Sequence, residues 1–206
     1  MPSTINTIIF DLGNVLINWD PNHLYKKIFA DDEERHHFLT HICTGDWNVQ
    51  QDAGRTLQEA TETLSAQHPD YKTEIEAFYG RWTEMIGGAI EGSVDILKQL
   101  KAENKVRLYA LTNWSNETFP YALENFDFLQ LFEGILVSGD EKLIKPDIRI
   151  YELMVSRYNI DPTKAMFIDD SEKNVMGSEL IGIHGHHFTS PEKLRKELEE
   201  LNLISK

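Results

Sequence analysis

Carboxylates stand directly after two apolar segments of the sequence. Asp11 follows the apolar run at residues 5–10. Asp169 and Asp170 together end the run at residues 165–168. Moving a bare carboxylate out of water costs several kcal/mol or more, and two adjacent acids repel each other unless a cation or hydrogen-bond donors lie beside them. The pattern is costly for structure and useful for chemistry, and it predicts that these acids have a metal ion or donor groups as partners.

Other polar residues stand at comparable places in the chain. Thr112 and Asn113 follow the apolar run at residues 106–111, and Lys145 precedes Pro146 in a predicted loop. Taken alone, the Thr-Asn pair is more typical of a helix N-cap, and a lysine before proline is usually an exposed loop residue. Open α/β sheets bind ligands beyond the carboxyl ends of their strands, which is where these residues fall. The arrangement therefore predicts a ligand site.

Hydrophobic periodicity divides the chain into two kinds of structure. Residues 20–86 carry helical spacing almost throughout. After residue 92, amphipathic helices alternate with short apolar strands. These strands are predicted at residues 106–111, 135–137, 166–168 and 183–188. Such alternation predicts an α/β, Rossmann-like parallel sheet with helices on both faces.

The helical block interrupts this sheet domain just after its first strand. We predict a core domain formed by residues 1–18 and 88–206, and an all-α helical-bundle cap formed by residues 19–87. No repeat or linker-like stretch separates them. The insertion is therefore interpreted as a cap packed over the sheet edge where the polar residues gather.

Composition narrows the classes of partner. The chain has 206 residues, 20 of them basic and 34 acidic, for a net charge of −14. Such a surface disfavours nucleic acid and anionic membranes, and an anionic small substrate would need positive groups at the site. A divalent cation would supply them. No apolar run approaches the roughly 20 residues of a membrane span, and no signal peptide is recognisable, so we predict a cytoplasmic protein, monomeric or homodimeric.

Four motifs, taken together, resemble those of the haloacid dehalogenase superfamily of hydrolases. They read IIFDLGNVL at residues 8–16, LYALTN at 108–113, KPD at 145–147 and FIDDS at 167–171. Any one alone is a weak signal, but all four occur in order, each at an element boundary. The resemblance implies a phosphatase with a small helical cap inserted after the first motif. It also implies a small phosphate ester as substrate, such as a sugar 1-phosphate.

The resemblance also implies catalytic roles for particular residues. Asp11 would attack phosphorus to give an aspartyl phosphate that water later hydrolyses. Thr112 and the backbone amide of Asn113 would hold the phosphoryl oxygens. Lys145 would neutralise charge on the transferring group and on the nucleophile.

A magnesium site is implied in the same way. Its protein ligands would be Asp11, the carbonyl of Gly13, Asp169 and Asp170, which offer the oxygen atoms that Mg²⁺ prefers. Asn174 would contact the metal through water or orient a ligand. The resemblance leaves open whether Asp169 contacts the metal directly.

Gly13 departs from the pattern of many phosphatases of this superfamily. They carry a second aspartate two residues after the nucleophile, which protonates the leaving oxygen and then activates water. Its absence has three possible explanations: a substrate with a good leaving group, a proton donor from the cap such as Asp46, His23 or His41, or a different activity. The first is favoured, because residues 11–19 resemble sugar-phosphate phosphatases in which DLGN replaces the two-acid motif.

Two other functions remain open at the level of sequence. A 2-haloacid dehalogenase would use Asp11 to attack carbon and would need no metal, so Asp169 and Asp170 count against it. A non-catalytic binding protein could share the same fold. An inert relative would have no physical need to keep a nucleophile facing a metal site, which counts against this second alternative.

Overall fold

The computed structural model describes residues 5–205, which form a parallel sheet, a helical cap and a ribbon between them. The strands are β1 (Thr7–Phe10), β2 (Ile17–Trp19), β3 (Ile86–Ala89), β4 (Arg107–Thr112), β5 (Gly134–Val137), β6 (Ala165–Asp169) and β7 (His184–His187). Five of them form one sheet in the order β5-β4-β1-β6-β7, with every neighbouring pair parallel. The α/β prediction is confirmed.

The register of the sheet places the predicted site residues side by side. Phe10, the last residue of β1, pairs with Ala110 on β4 and with Ile168 on β6. The residue after each of these positions therefore lies at the same edge of the sheet. In β1 and β6 that residue is an aspartate, Asp11 or Asp169, so the two acids meet although they are distant in sequence.

Helices cover both faces of the sheet. Alternate residues of each strand point to opposite sides, so both faces carry side chains that pack against helices. Within residues 5–205, six helices belong to the sheet domain: α6 (Glu91–Glu103), α7 (Phe119–Asn125), α8 (Ser138–Glu141), α9 (Ile148–Arg157), α10 (Glu172–Glu179) and α11 (Pro191–Glu200). Ile8 and Phe10 pack in a core that includes residues of α6 and α11. Ile9 packs in a second core with residues of α9.

The inserted segment is a small helical bundle. It contains α1 (Asn22–Ile28), α2 (Asp32–His37), α3 (Gly45–Asp52), α4 (Leu57–Gln67) and α5 (Lys72–Gly80), with a π-helical turn at Phe38–Ile42 and 3₁₀ turns at Pro69–Tyr71 and Trp82–Met85. Aromatic side chains form its centre: the ring centroids of Tyr25 and Phe38 lie 4.9 Å apart, and those of Trp47 and Phe78 lie 5.0 Å apart. None of the helices in residues 5–205 combines the length and apolar character needed to cross a bilayer.

A two-stranded antiparallel ribbon, which the sequence did not predict, joins the sheet domain to the helices. Ile17 on β2 pairs with Ala89 on β3, and Asn18 pairs with Gly88. The glycines at 87 and 88 suggested a break, but Gly88 is in the ribbon with a φ of +100°. A side chain at Gly87 would collide with Asn18. The predicted domain boundaries, between residues 18 and 19 and between 87 and 88, fall inside this ribbon.

Candidate active site

Lys145 is at the centre of the polar cluster, and its side chain is fully buried. Its Nζ lies 2.8 Å from Oδ1 of Asp11 and 2.6 Å from Oδ2 of Asp169, and donates a 3.0 Å hydrogen bond to the carbonyl of Leu111. Burial alone would lower the pKa of this ammonium group, but the charges of Asp11 and Asp169 outweigh it and raise that pKa. Lys145 is therefore a charged internal residue, in contrast to an ordinary exposed loop lysine.

The side chain of Asn113 holds the backbone of Lys145 in place. Its Oδ1 accepts a 2.8 Å hydrogen bond from the Lys145 amide, and its Nδ2 donates a 3.0 Å bond to the Lys145 carbonyl. The two bonds join the end of β4 to the loop that carries the lysine. Sequence reasoning had considered only the backbone amide of Asn113, and no local pattern indicated this pairing across 32 residues of chain.

Asp169 is completely buried and both of its oxygens have partners. Oδ1 accepts a 2.8 Å hydrogen bond from the amide of Ser171, and Nδ2 of Asn174 lies 3.1 and 3.2 Å from the two oxygens. Lys145 occupies Oδ2 as well. Asp169 therefore orients Lys145 and Asn174, whatever further role it has.

Asp11 has one oxygen held by polar partners and one oxygen without them. Its Oδ1 accepts a 2.8 Å hydrogen bond from the amide of Leu12 and forms the ion pair with Lys145, whereas no residue in the range 5–205 forms a hydrogen bond or ion pair with Oδ2. Burial raises the pKa of Asp11 to about 7; Lys145 opposes this shift, and Asp169 adds to it. A fixed carboxylate with one free oxygen can serve as a nucleophile or a metal ligand.

The donor atoms present fit a hard divalent cation. Asp11, Asp169 and Asp170 each offer a carboxylate oxygen within 4.8 Å of the others, and one ammonium group opposes these three carboxylates. Asp170 is exposed at the surface, but partial desolvation of its carboxylate and the charge of Asp169 both raise its pKa, which indicates that positive charge is lacking beside it. The buried Oδ1 of Asn174 also has no hydrogen-bond partner among residues 5–205, and a metal-bound water could donate to it.

A cavity of about 90 Å³ lies between the sheet edge and the cap. Its walls come from the loops after β1 and β4, the last residue of β2, helices α3 and α5 and the 3₁₀ turn at Trp82–Met85: Gly13, Trp19, Asn48, Asp52, Tyr79, Trp82, Asn113, Trp114, Ser115 and Thr118. Thr112 is buried at the end of β4, next to the cavity residue Asn113. The cavity therefore joins the predicted phosphate-binding loop to a wall that includes several aromatic side chains.

The cap residues that the sequence offered as proton donors lie elsewhere. His23, His41 and Asp46 are all exposed, and none of them is among the described residues that line the cavity. His23 instead contacts Oδ1 of Asn18 at 2.6 Å. Asp52 lines the cavity, and sequence reasoning missed it, because an aspartate near the end of an amphipathic helix carries no distinguishing pattern.

The free energy of unfolding should depend on pH through Asp52. Burial raises its pKa from 3.8 to about 7, partly opposed by the Ser115 amide and the charge of Lys145. Between these values the folded state keeps a proton that the unfolded state releases, so the contribution of Asp52 to stability falls as pH rises from about 4 to about 7. Asp52→Asn should therefore stabilise the metal-free protein by about 2 kcal/mol at pH 8, allowing for its partial exposure, and by little near pH 4.

Urea denaturation at both pH values measures this effect, with Asp46→Asn in the first turn of the same helix as the matched control. An equal change in the free energy of unfolding at pH 4 and pH 8 for Asp52→Asn would contradict the assignment of a strongly raised pKa.

Comparison with known proteins agrees with this geometry. The model of the haloacid dehalogenase-like hydrolase family matches residues 5–182 of this chain. Sesquiterpene phosphatase astK of Aspergillus oryzae is 26% identical over 202 residues, covering 98% of both chains, and pyrophosphatase PpaX of Bacillus pumilus is 25% identical over 87% of this chain and 81% of its own.

A solved structure provides the same comparison in three dimensions. An aspartate-to-alanine variant of a haloacid dehalogenase family enzyme from Bacteroides thetaiotaomicron, in complex with magnesium and inorganic phosphate, has a TM-score of 0.70 and 26% identity. The match covers 90% of this chain and 95% of that one. This chain therefore belongs to the haloacid dehalogenase-like hydrolases, as an enzyme of their phosphatase type.

Proposed function

We propose that this chain is a Mg²⁺-dependent phosphomonoesterase that hydrolyses a small phosphorylated metabolite through an aspartyl phosphate on Asp11. The observation that carries the proposal is the buried Lys145, which pairs with Asp11 and Asp169 beside a third carboxylate at one edge of the sheet. An ion cluster of this kind costs folding energy because three carboxylates share one ammonium group. Phosphoryl transfer uses such a cluster.

Asp11 is proposed as the nucleophile. Its Oδ1 is fixed by the Leu12 amide and Lys145, which leaves Oδ2 to attack phosphorus. Lys145 opposes the rise that burial causes in the pKa of Asp11, and it reduces the repulsion between Asp11 and a dianionic ester. The attack forms the Oδ2–P bond, and a water molecule then hydrolyses the acyl phosphate and restores the carboxylate.

Thr112 and the backbone amide of Asn113 are proposed to hold the phosphoryl oxygens. These two roles are proposed because the carboxyl end of β4 lies beside Asp11 in the sheet. Lys145 would contact the same phosphoryl group, because Asn113 anchors the Lys145 backbone at the carboxyl end of β4.

Magnesium is proposed to bind Asp11, the Gly13 carbonyl and Asp170, with Asp169 beside them. When bound, the ion supplies positive charge to the phosphoryl oxygens. Asp170 is exposed, and its raised pKa indicates that positive charge is lacking beside it. It is therefore a better candidate than Asp169 for direct contact with the metal. Asp169 already has three donors, so we propose that its main task is to orient Lys145 and Asn174.

Removal of metal tests this proposal against dehalogenation. Phosphate release should fall by ~10³-fold or more in excess EDTA and return with added Mg²⁺, because the three acids otherwise repel the substrate. The measurement is phosphate release from p-nitrophenyl phosphate and, in parallel, halide release from a 2-halo acid. Phosphate release that survives EDTA, or halide release alone, would overturn the proposed reaction.

The substrate proposed from the sequence is a sugar phosphate, whose leaving group would need little protonation. A second candidate is the phosphate of an apolar alcohol. It is favoured by the cavity wall, in which Trp19, Tyr79, Trp82 and Trp114 contribute aromatic surface, and by the similarity to a sesquiterpene phosphatase. The ring centroids of Trp82 and Trp114 lie 5.8 Å apart at the cavity.

A panel of phosphate esters separates the two candidates. Comparing kcat/KM for glucose 1-phosphate with that for farnesyl phosphate, with and without Mg²⁺, identifies the favoured leaving group. Trp82→Ala should lower kcat/KM for the apolar ester by about tenfold or more, because it removes contact area from the cavity wall. A preference for the sugar ester that Trp82→Ala leaves unchanged would support the sugar phosphate instead.

A further inference from the structure

Because residue 13 is glycine, this chain lacks the acid that many phosphatases of the superfamily carry at this position to protonate the leaving oxygen. The absence is not caused by crowding: a Cβ added at Gly13 would have no other atom within 4 Å, and the backbone there does not need glycine. The protonation of a poor leaving group is worth about 10²–10⁴-fold in rate. Another acid that faces the same space could supply this proton.

Asp52 of the cap faces this space. It lines the cavity together with Gly13 and Asn113, which belong to the loops after β1 and β4. The charge of Lys145 also acts on the Asp52 carboxylate, which agrees with this position. The cavity wall includes no other aspartate, glutamate or histidine from residues 5–205.

The surroundings of Asp52 hold it in position. Its Oδ2 accepts a 3.4 Å hydrogen bond from Nδ2 of Asn48, one turn earlier in α3, and the backbone amide of Ser115 favours the ionised carboxylate. Its backbone carbonyl accepts a 2.6 Å bond from Oγ of Ser138, the first residue of α8. This last contact ties the cap residue to the sheet domain.

The next turn of chain also depends on a close approach to the sheet domain. Gly54 has a φ of +94°, and a Cβ there would come within 3.2 Å of the Gly139 carbonyl. Glycine allows both the left-handed backbone and the close contact. The end of α3, which carries Asp52, therefore packs closely against the sheet domain.

A carboxylate at this place is unfavourable for structure alone. Asp52 is the last residue of α3, and the partial negative charge of a helix C-terminus disfavours a second negative charge. The neighbouring Tyr79 and Trp82 offer little solvation. Burial raises the pKa of Asp52 to about 7, so that the group can both give and accept a proton near neutral pH.

We propose that Asp52 is the general acid and base of this enzyme, in place of the acid missing at Gly13. The inference rests on the proposed phosphatase function. As the Asp11–P bond forms, the bond from phosphorus to the leaving oxygen breaks, and that oxygen takes the proton of Asp52. In the second step Asp52 accepts a proton from water as the water oxygen attacks phosphorus, the Asp11–P bond breaks, and inorganic phosphate leaves.

A series of phosphate esters with different leaving groups tests this role in Asp52→Asn. We expect kcat/KM to fall by about 10²-fold or more for an alkyl phosphate, whose alkoxide needs a proton. For 2,4-dinitrophenyl phosphate, which needs none, kcat/KM should change less than about threefold. For that ester kcat and KM should fall together, because hydrolysis of the acyl phosphate would then lack its base.

Two further variants serve as controls. Asp46 is exposed on the same helix, and the effect of Asp46→Asn on kcat/KM should not depend on the leaving group of the ester. Gly13→Asp should restore much of the lost kcat/KM when combined with Asp52→Asn, because the added side chain has open space beside the site.

The outcomes separate this inference from the proposed function. An equal loss on all esters in Asp52→Asn, without rescue by Gly13→Asp, would assign Asp52 a structural role and overturn the inference while leaving the phosphatase intact. Retention of phosphate release by Asp11→Asn would instead overturn the proposed function itself.

Discussion

Asp11→Asn is expected to lower the rate of phosphate release by ~10⁴-fold or more without unfolding the protein. The loss is large because the amide cannot form the acyl phosphate, and removal of a covalent nucleophile removes the whole catalytic pathway. The fold should remain, because the asparagine Oδ1 can still accept from the Leu12 amide and Lys145 keeps its contact with Asp169. Single-turnover phosphate release measures the first effect and urea denaturation the second.

Two measurements on the Asp11→Asn protein itself serve as controls: its stability in urea and its affinity for inorganic phosphate. A folded Asp11→Asn protein that still binds inorganic phosphate, but does not turn over ester, is the expected result. A rate within tenfold of the unaltered protein would show that the nucleophile lies elsewhere.

Lys145→Met is expected to reduce both activity and stability. Its Nζ compensates two buried carboxylates and caps the Leu111 carbonyl, and methionine fills a similar volume without any of these contacts. Breaking a buried ion pair on one side costs about 3–5 kcal/mol, because the partner charges remain buried and unpaired. The rate of phosphate release should also fall by ~10³-fold or more, because the transferring group loses its cation.

Urea denaturation of the metal-free protein at pH 8, which lies above the raised pKa of Asp11, measures this loss. Lys98→Met, an exposed position on α6, is the matched control and should change stability by less than about 0.5 kcal/mol. If Lys145→Met were as stable as the control, the ion cluster would not have the electrostatic role that we assign to it.

The sequence predicted the parallel sheet, and it singled out acids that the structure brings to one sheet edge, because both follow from local patterns. Apolar runs of four to six residues that end in an aspartate mark a strand and its carboxyl end at once. The parallel register then brings Asp11 and Asp169 together, and no information beyond strand order was needed for this. Helical spacing identified the cap for the same reason.

What the sequence did not predict depends on contacts between distant parts of the chain. The pairing of Asn113 with the Lys145 backbone and the position of Asp52 over the site arise only when the loops and the cap pack together. Short strands rich in glycine, such as β3, resemble breaks, so the ribbon was missed as well. Exposed residues of the cap, including Asp46 and His41, looked equally suitable until their positions were known.

The most direct test of the account is the mass of the Asp11 peptide after rapid acid quenching of a reaction with Mg²⁺ and an activated ester. We expect a transient phosphoryl group on Asp11, formed as fast as the leaving group is released and lost when the quench is delayed. Steady turnover with no phosphoryl group on Asp11 at any quench time, or with that group on another residue, would contradict it.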